Sequence, residues 1–368
     1  MKPKALLFYQ YLPPWRIDIF NEISNDYALT IVFTDADSDG FTYNRQELLS
    51  LLRPDIQIIF LSSGFRIGSR PVRTGVVKLL QKTKPDVVFA HEYSFVSICI
   101  ALSLASRLFR FKFVITTSDN KMMTQSSKGF KALARNLVLK YSDGLIVYSS
   151  EVKNTYQELY PKLTIGVCPN IQDEQKLLSR RFIFDEFVSQ HKKKFNIRDE
   201  KIILYVGRLN HIKGIDLLIN AFYMAKVKNA RLVLVGEGQD KDNLEKLVRS
   251  KNLDSKVIFA GFYSGNELYA WYDLASLLVL PSRYEPFGAV VNEALIFGCP
   301  VLISKYAGAT DFIQDEVNGW IMDPLNEDEF TSKFIYAMES STKFKSSKSS
   351  LMLKRIGDYA RIFKHIIE

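Results

Sequence analysis

Cysteine is scarce: Cys99, Cys168 and Cys299 are the only three in 368 residues. An odd, sparse set with no metal-type spacing excludes a disulfide framework and points to reduced thiols in a cytosolic protein. Long apolar runs are missing too. The longest, Phe95–Ala105, is interrupted by serines and is too short to cross a bilayer. The apolar stretch at the amino terminus is short and ends at Pro13 and Pro14, so it does not read as a secretory leader. Glycine is lacking where two familiar phosphate loops would need it. The turn after the first apolar run, residues 10–14, has none. Residues 232–238 read LVLVGEG, but the third glycine of a dinucleotide fingerprint would fall on Lys241, which argues against a nicotinamide enzyme. No nucleic-acid-binding motif accompanies the net charge of +9, so no nucleic-acid partner is expected. Asp35 to Gly40 spaces its acids like a calcium loop, but position twelve is Gln46 and a strand precedes it, so no calcium site is expected.

What is present is enough chain for two domains, with an ordinary apolar fraction of 47%. Short apolar runs at residues 5–9, 29–33, 56–61, 87–90, 113–116 and 145–147 read as buried strands. Helical stretches, such as 17–23, lie between several of them. The pattern restarts at 202–206, 232–235, 257–260, 277–280 and 301–303. Such alternation predicts an α/β protein with doubly wound parallel sheets. The expected division is an amino-terminal domain over residues 1–168, a polar linker with an entry helix over 169–200 and a second domain over 201–350. A final amphipathic helix is expected over 351–368. Charge is uneven. Residues 1–168 carry 21 Lys and Arg against 14 Asp and Glu, a net of +7, whereas residues 169–342 carry 21 against 24, a net of −3. A basic first half suits an anionic surface or acceptor.

The most informative stretch is Glu285 to Glu293, EPFGAVVNE. Val290, Ala294 and Phe297 recur at helical spacing, so a helix starts near Gly288 and aims free backbone N–H groups and its positive dipole end outward, at an anion. Were the whole span helical, the two carboxylates would lie ~12 Å apart, about the reach from a sugar across a diphosphate to a ribose. A carboxylate is repelled by phosphate, so each Glu is expected to accept hydrogen bonds from neutral hydroxyls. Upstream, residues 204–214 read LYVGRLNHIKG. A strand ends at Gly207, and Arg208 and Lys213 follow as cations where open α/β sheets bind ligands. Positioned cations stabilise a departing diphosphate more than its ground state.

Together with the flanking PSRYEPFG and the later GCPVLIS, this resembles the Glu-x7-Glu signature of retaining glycosyltransferases of family 4, and Arg208 to Lys213 resembles that family's G-R-x4-K motif. The resemblance covers residues 200–325 specifically and the remainder by architecture. It implies the GT-B fold, two Rossmann-like domains facing a central cleft, and transfer of a sugar from a nucleotide diphosphate sugar to an acceptor hydroxyl with retention. It implies that Arg208 and Lys213 hold the diphosphate and Glu285 the donor sugar, helped by the N–H groups of Phe287, Gly288 and Ala289. Glu293 would bind the ribose. Gly207, Gly236 and Gly238 would let backbone approach the nucleotide, and Phe262 would lie against the base or pack in the core. In the first domain, His91 directly ends a strand and is the acceptor-side candidate, with Asp119 and Arg16 beside it. The resemblance also implies that the last helix, 351–368, returns to the first domain, whereas the absent glycines after the first strand depart from many relatives. The implied partners are a nucleotide-sugar donor, a saccharide or lipid-linked saccharide acceptor and an anionic membrane face approached from the cytoplasm. No cofactor and no metal are expected. A nucleotide-sugar-binding protein without turnover, a sugar-nucleotide epimerase, and a metal-dependent GT-A transferase using Asp35 and Asp37 remain as alternatives.

Overall fold

The computed structural model describes residues 1–35, 45–67, 70–345 and 349–368, and leaves the side chains of residues 70, 71, 344 and 345 undescribed. Asp37 and most of the acidic turn therefore lie outside the described residues. The chain forms two compact units: Met1–Gln172 with Lys354–Glu368, and Asp173–Leu353.

The first unit contains strands β1 (Lys4–Tyr9), β2 (Ala28–Phe33) and β3 (Gln57–Phe60), a hairpin of β4 (Gly64–Ile67) and β5 (Arg70–Arg73), then β6 (Val87–His91), β7 (Lys112–Thr116), β8 (Gly144–Val147) and β9 (Ile165–Val167). Seven of them form a parallel sheet in the order β3-β2-β1-β6-β7-β8-β9. The chain reverses its direction of winding between β1 and β6, the switch point at which doubly wound sheets bind ligands. Leu6, Leu7, Phe8, Val88, Phe89 and Ala90 are all buried, as a sheet covered on both faces requires. The helix Ile17–Asp26 buries Ile19, Phe20 and Ile23, with Phe20 edge-on to Tyr9 of β1 at 5.1 Å, and Ser94 caps the helix Phe95–Ala105 by accepting from Ser97 N.

The carboxy-terminal segment is two short helices, Ile356–Ala360 and Ile362–His365, instead of one continuous helix from residue 351. Leu351 is instead tied into the second unit: its N–H donates to Leu295 O at 2.8 Å and its carbonyl accepts from Asn318 Nδ2 at 3.1 Å. The tail packs on β8 and β9, where Ile366 and Ile362 occupy the space that a Cβ on Gly144 and Gly166 would need.

The second unit holds β10 (Lys201–Val206), β11 (Ala230–Val235), β12 (Val257–Gly261), β13 (Leu277–Leu280), β14 (Val301–Ser304) and β15 (Gly319–Met322), all parallel in the order β12-β11-β10-β13-β14-β15. Its switch point lies between β10 and β13. From Asp173 onward, the stretch expected to be a linker is part of this unit. Its helix Arg181–Lys194 packs against the helix Gly265–Leu274. His191 stacks on Trp271 at 4.4 Å and donates from Nε2 to Glu267 O, Phe184 meets Phe297 at 5.3 Å, and Arg181 pairs with Asp273. Phe184 and His191, seven residues apart, form one buried stripe inside a charged segment.

Candidate functional site

In the second unit, the loops leaving β10 and β13 hold the residues singled out from sequence. After β10 the chain turns at Gly207, and the Tyr205 hydroxyl donates to Arg208 O at 2.9 Å, which fixes the loop with the Arg208 side chain exposed. Burial pushes the Tyr205 phenol up, Glu285 adds to this and Arg208 opposes it, so both charges act on one point. A short turn, His211–Lys213, then carries Lys213.

After β13 the chain passes Arg283, whose guanidinium donates to both oxygens of Asp216 at 2.8 and 2.7 Å and to His211 O at 2.8 Å; Arg283 N also donates to Ile212 O at 2.8 Å. This planar two-point clamp ties the two loops together. Arg283 was part of the sequence motif, but its bracing role was not read there. Beyond it, Glu285 is locked by backbone to the segment after β14: Glu285 N donates to Tyr306 O at 3.2 Å and Gly308 N to Glu285 O at 3.0 Å. Lys213 Nζ and Glu285 Oε2 form an ion pair, with side chains 14% and 13% exposed.

The helix starts where expected, at Ala289, with Gly288 as its cap at φ 95°, a left-handed conformation that favours glycine. Glu285 lies before the helix, so the fully helical spacing does not apply. Phe287 N points to Glu285 Oε1 at 3.5 Å. Glu293 is on the helix and accepts from the Tyr272 hydroxyl at 2.7 Å, a contact with no sequence signal.

Gly236 and Gly238 have a nearer reason to be glycine than a ligand. A Cβ on Gly236 would collide with Gly207 O, and one on Gly238 with Leu209 O. The two loops close on each other through Leu209 N to Glu237 O and Asp240 N to Leu209 O, both at 3.0 Å. Phe262, just past β12, is 74% exposed, which removes the core-packing alternative.

In the first unit, His91 ends β6 beside the end of β1. Its ring stacks on Tyr9 at 4.1 Å, Nδ1 lies 2.9 Å from Thr116 Oγ1 and Nε2 lies 3.4 Å from Glu92 Oε1. Burial pushes the imidazole down to about 4, against the pull of Glu92 and with the help of Arg16, so His91 is neutral at pH 7. Glu92, which sequence reasoning passed over, adopts φ 63° and accepts from Ser118 N at 2.7 Å, Ser118 Oγ at 2.6 Å and Thr117 Oγ1 at 3.1 Å. Burial works against its charge, yet His91, Ser118 and Thr117 hold the carboxyl below the usual range. An acid directly after a strand-ending histidine was the available signal.

Arg16 and Asp119 are otherwise engaged. Arg16 is fully buried, donates from Nη1 to Cys168 O at 3.3 Å and Pro169 O at 3.1 Å, and lies 5.0 Å from the Tyr148 ring centre. It anchors the start of the first helix to the end of the first unit and presents no charge to solvent. Asp119 is buried, accepts from the Tyr156 hydroxyl at 2.8 Å and pairs with Lys131 at 3.4 Å; Tyr93 in turn donates to Tyr156 at 2.9 Å. Burial pushes its carboxyl up. Asp35, the acid of the alternative metal motif that is described, pairs with Arg66 at 2.7 Å. Among the described residues no group of three or more His, Cys, Asp or Glu could hold a metal ion.

Residues 187–361, just under half of the chain, match the family model for glycosyl transferases group 1. An uncharacterized glycosyltransferase of Methanocaldococcus jannaschii is 45% identical over 133 residues, 35% of this chain and 34% of that one. A lipopolysaccharide 1,2-N-acetylglucosaminetransferase of Salmonella typhimurium is 28% identical over 221 residues, 57% of this chain and 56% of its own. The matched stretches thus span about a third and just over half of these relatives. Among solved structures, Anabaena HepE in complex with UDP and glucose is similar over 99% of this chain and 97% of its own, with a TM-score of 0.66 and 19% identity. The fold is that of the GT-B glycosyltransferases, with a parallel sheet in each of two Rossmann-like halves.

Proposed function

We propose that this chain is a glycosyltransferase of group 1 type that moves a sugar from a nucleotide diphosphate sugar to an acceptor hydroxyl, with retention at the anomeric carbon. The observation that carries the reading is the meeting of Lys213, Glu285 and the helix start at Gly288 at the carboxyl ends of β10 and β13. A diphosphate needs cations and free N–H groups, and a sugar needs a carboxylate for its hydroxyls; this corner supplies both. Arg208 and Lys213 take the diphosphate, Glu285 the donor sugar, Glu293 the ribose and Phe262 the base. No side chain is assigned as a nucleophile. The leaving phosphate takes the acceptor proton on the face from which it departs, which preserves configuration. His91, neutral at pH 7, acts toward the acceptor as a hydrogen-bonding group and not as a cation.

The acceptor is a saccharide or lipid-linked saccharide of a surface polysaccharide or lipopolysaccharide, reached from the cytoplasmic face of a membrane. The Salmonella relative supports this, and no helix among the described residues is long and apolar enough to cross a membrane. UDP-glucose is the first donor to try, because HepE binds UDP and glucose. Incubation with a panel of nucleotide sugars and saccharide acceptors, followed by NMR of the product, tests the reading. Released nucleoside diphosphate and a glycoside of unchanged anomeric configuration are expected. An isomerised nucleotide sugar, an inverted glycoside or binding without turnover defeats it. Turnover is also expected to survive EDTA, since Arg208, Lys213 and the helix start supply the positive charge. Activity lost in EDTA and restored by manganese would revive the metal-dependent alternative.

A further inference from the structure

Lys213 and Glu285 were assigned to different parts of the donor, one to phosphate and one to sugar, yet they are bonded to each other. Both side chains are mostly buried, and among the described residues neither has another charged partner within ion-pair distance. Resting on the functional reading above, we propose that this ion pair is exchanged when the donor binds, and that the exchange makes the site prefer the intact nucleotide sugar to the nucleoside diphosphate it releases.

The argument follows from where the charges go. A diphosphate arriving at Lys213 brings negative charge to a lysine that already neutralises a carboxylate. Lys213 cannot serve both at full strength, and the diphosphate is repelled by Glu285 in a corner poorly screened by water. Glu285 must give up Lys213 and find other donors. Its backbone is fixed on both sides by Tyr306 O and Gly308 N, so only the side chain can turn. Phe287 N, at 3.5 Å from Oε1, is a weak donor at hand. With an intact donor, the sugar hydroxyls supply the missing hydrogen bonds, so the cost of breaking the pair is recovered. With the nucleoside diphosphate alone, the carboxylate is left mostly buried beside phosphate without those hydroxyls. Glu285 therefore favours the substrate and opposes the product, which helps the site to empty after transfer. Arg283, by clamping the Lys213 turn to the strand leading to Glu285, keeps the two groups close enough for the exchange to be obligatory.

Calorimetric titration of UDP and UDP-glucose into wild type, Glu285→Gln, Lys213→Met and the double variant tests this, with GDP and ADP as further nucleotides. Glu285→Gln should bind UDP about fivefold or more tightly than wild type and lose the preference for UDP-glucose. Lys213→Met should bind UDP more weakly, and the gain from adding Glu285→Gln should be smaller there than in wild type, because competition for Lys213 is gone and only direct repulsion by Glu285 remains. Glu285→Ala serves as a second removal of the charge, and thermal melts confirm that each variant folds. UDP affinity unchanged or weakened in Glu285→Gln and Glu285→Ala overturns the exchange while leaving the transferase reading intact. A gain as large without Lys213 as with it also overturns it, since simple loss of a negative charge would then suffice. Wild type that binds none of the three nucleotides overturns the functional reading and the inference together.

Discussion

Glu293 accepts a hydrogen bond from Tyr272, and this contact sets the direction of its carboxylate. Glu293→Gln keeps the size and removes the charged acceptor, whose hydrogen bonds are worth about 1.5–3 kcal/mol. Affinity for the nucleoside diphosphate should fall about tenfold or more, and Tyr272→Phe should cause a smaller loss of the same kind; calorimetry with UDP reads both. Full UDP affinity in Glu293→Gln would remove the ribose assignment. His91 allows a prediction of stability against pH. Its folded value of about 4 lies below the ordinary 6.5, so the unfolded chain takes the proton first as pH falls. Stability is full above about 6.5 and drains away toward 4, by about 2 kcal/mol between pH 7 and pH 5. Glu92 opposes the shift, Arg16 supports it, and the phenols of Tyr9 and Tyr148 remain protonated throughout that range. Urea midpoints of wild type and His91→Gln at the two pH values check this, and identical pH slopes would refute it. The placement of Lys213 and Glu285 just past strand ends could be read from sequence, because each follows an uninterrupted apolar run. Arg16 and Asp119 could not, because sequence shows a charge but not the carbonyls and phenol that bury it.

At the scale of elements, the apolar runs were reliable because a parallel strand covered on both faces needs uninterrupted hydrophobic residues. The β4–β5 hairpin was not visible: Phe65 and Ile67 alternate with polar residues, but they are exposed and leave no core-facing signature. The helix Arg181–Lys194 was expected only as an entry helix somewhere in the linker, and its bounds were not visible, since only Phe184 and His191 of its fourteen residues are buried. The carboxy-terminal helices illustrate how an element can be set by its neighbour's lack of a side chain. Ile362 sits where a Cβ on Gly166 would go. Gly166→Ala should therefore cost about 1–3 kcal/mol by overpacking and loosen the tail. Ile362→Ala in the same protein should restore much of the loss by vacating that space. Thermal unfolding and limited proteolysis of the tail in the three variants measure this, and a Gly166→Ala protein as stable as wild type would show that the contact yields without cost.

At the scale of the molecule, alternating strands and helices announced two parallel sheets, whereas the strand orders that put a switch point between β1 and β6 and between β10 and β13 come from the structure. Sequence could not say where the basic excess of the first half is displayed. The structure puts part of it on two helices, Lys121–Ser126 and Gly129–Lys140. Residues 120–141 hold Lys121, Lys128, Lys131, Arg135 and Lys140 and no acid. Arg135 is buried, Lys121 pairs with Glu151 and Lys131 with Asp119, but Lys128 and Lys140 are exposed, as are Met122, Met123, Phe130 and Leu133. Exposed apolar side chains among lysines suit an anionic bilayer face, where each lysine near the surface is worth about 1 kcal/mol and the apolar groups enter the headgroup boundary. A soluble acceptor, with charge serving only solubility, is the competing account. Co-sedimentation with phosphatidylglycerol and phosphatidylcholine vesicles across a salt series separates them, because attraction at the surface is screened within about 8–10 Å at physiological salt. Binding to the anionic vesicles at low salt should weaken as salt rises, and replacing Met122, Phe130 and Leu133 together by serine should reduce it further without changing transfer to a soluble acceptor. Equal binding to both vesicles at low salt would remove the membrane part of the proposal and leave sugar transfer standing.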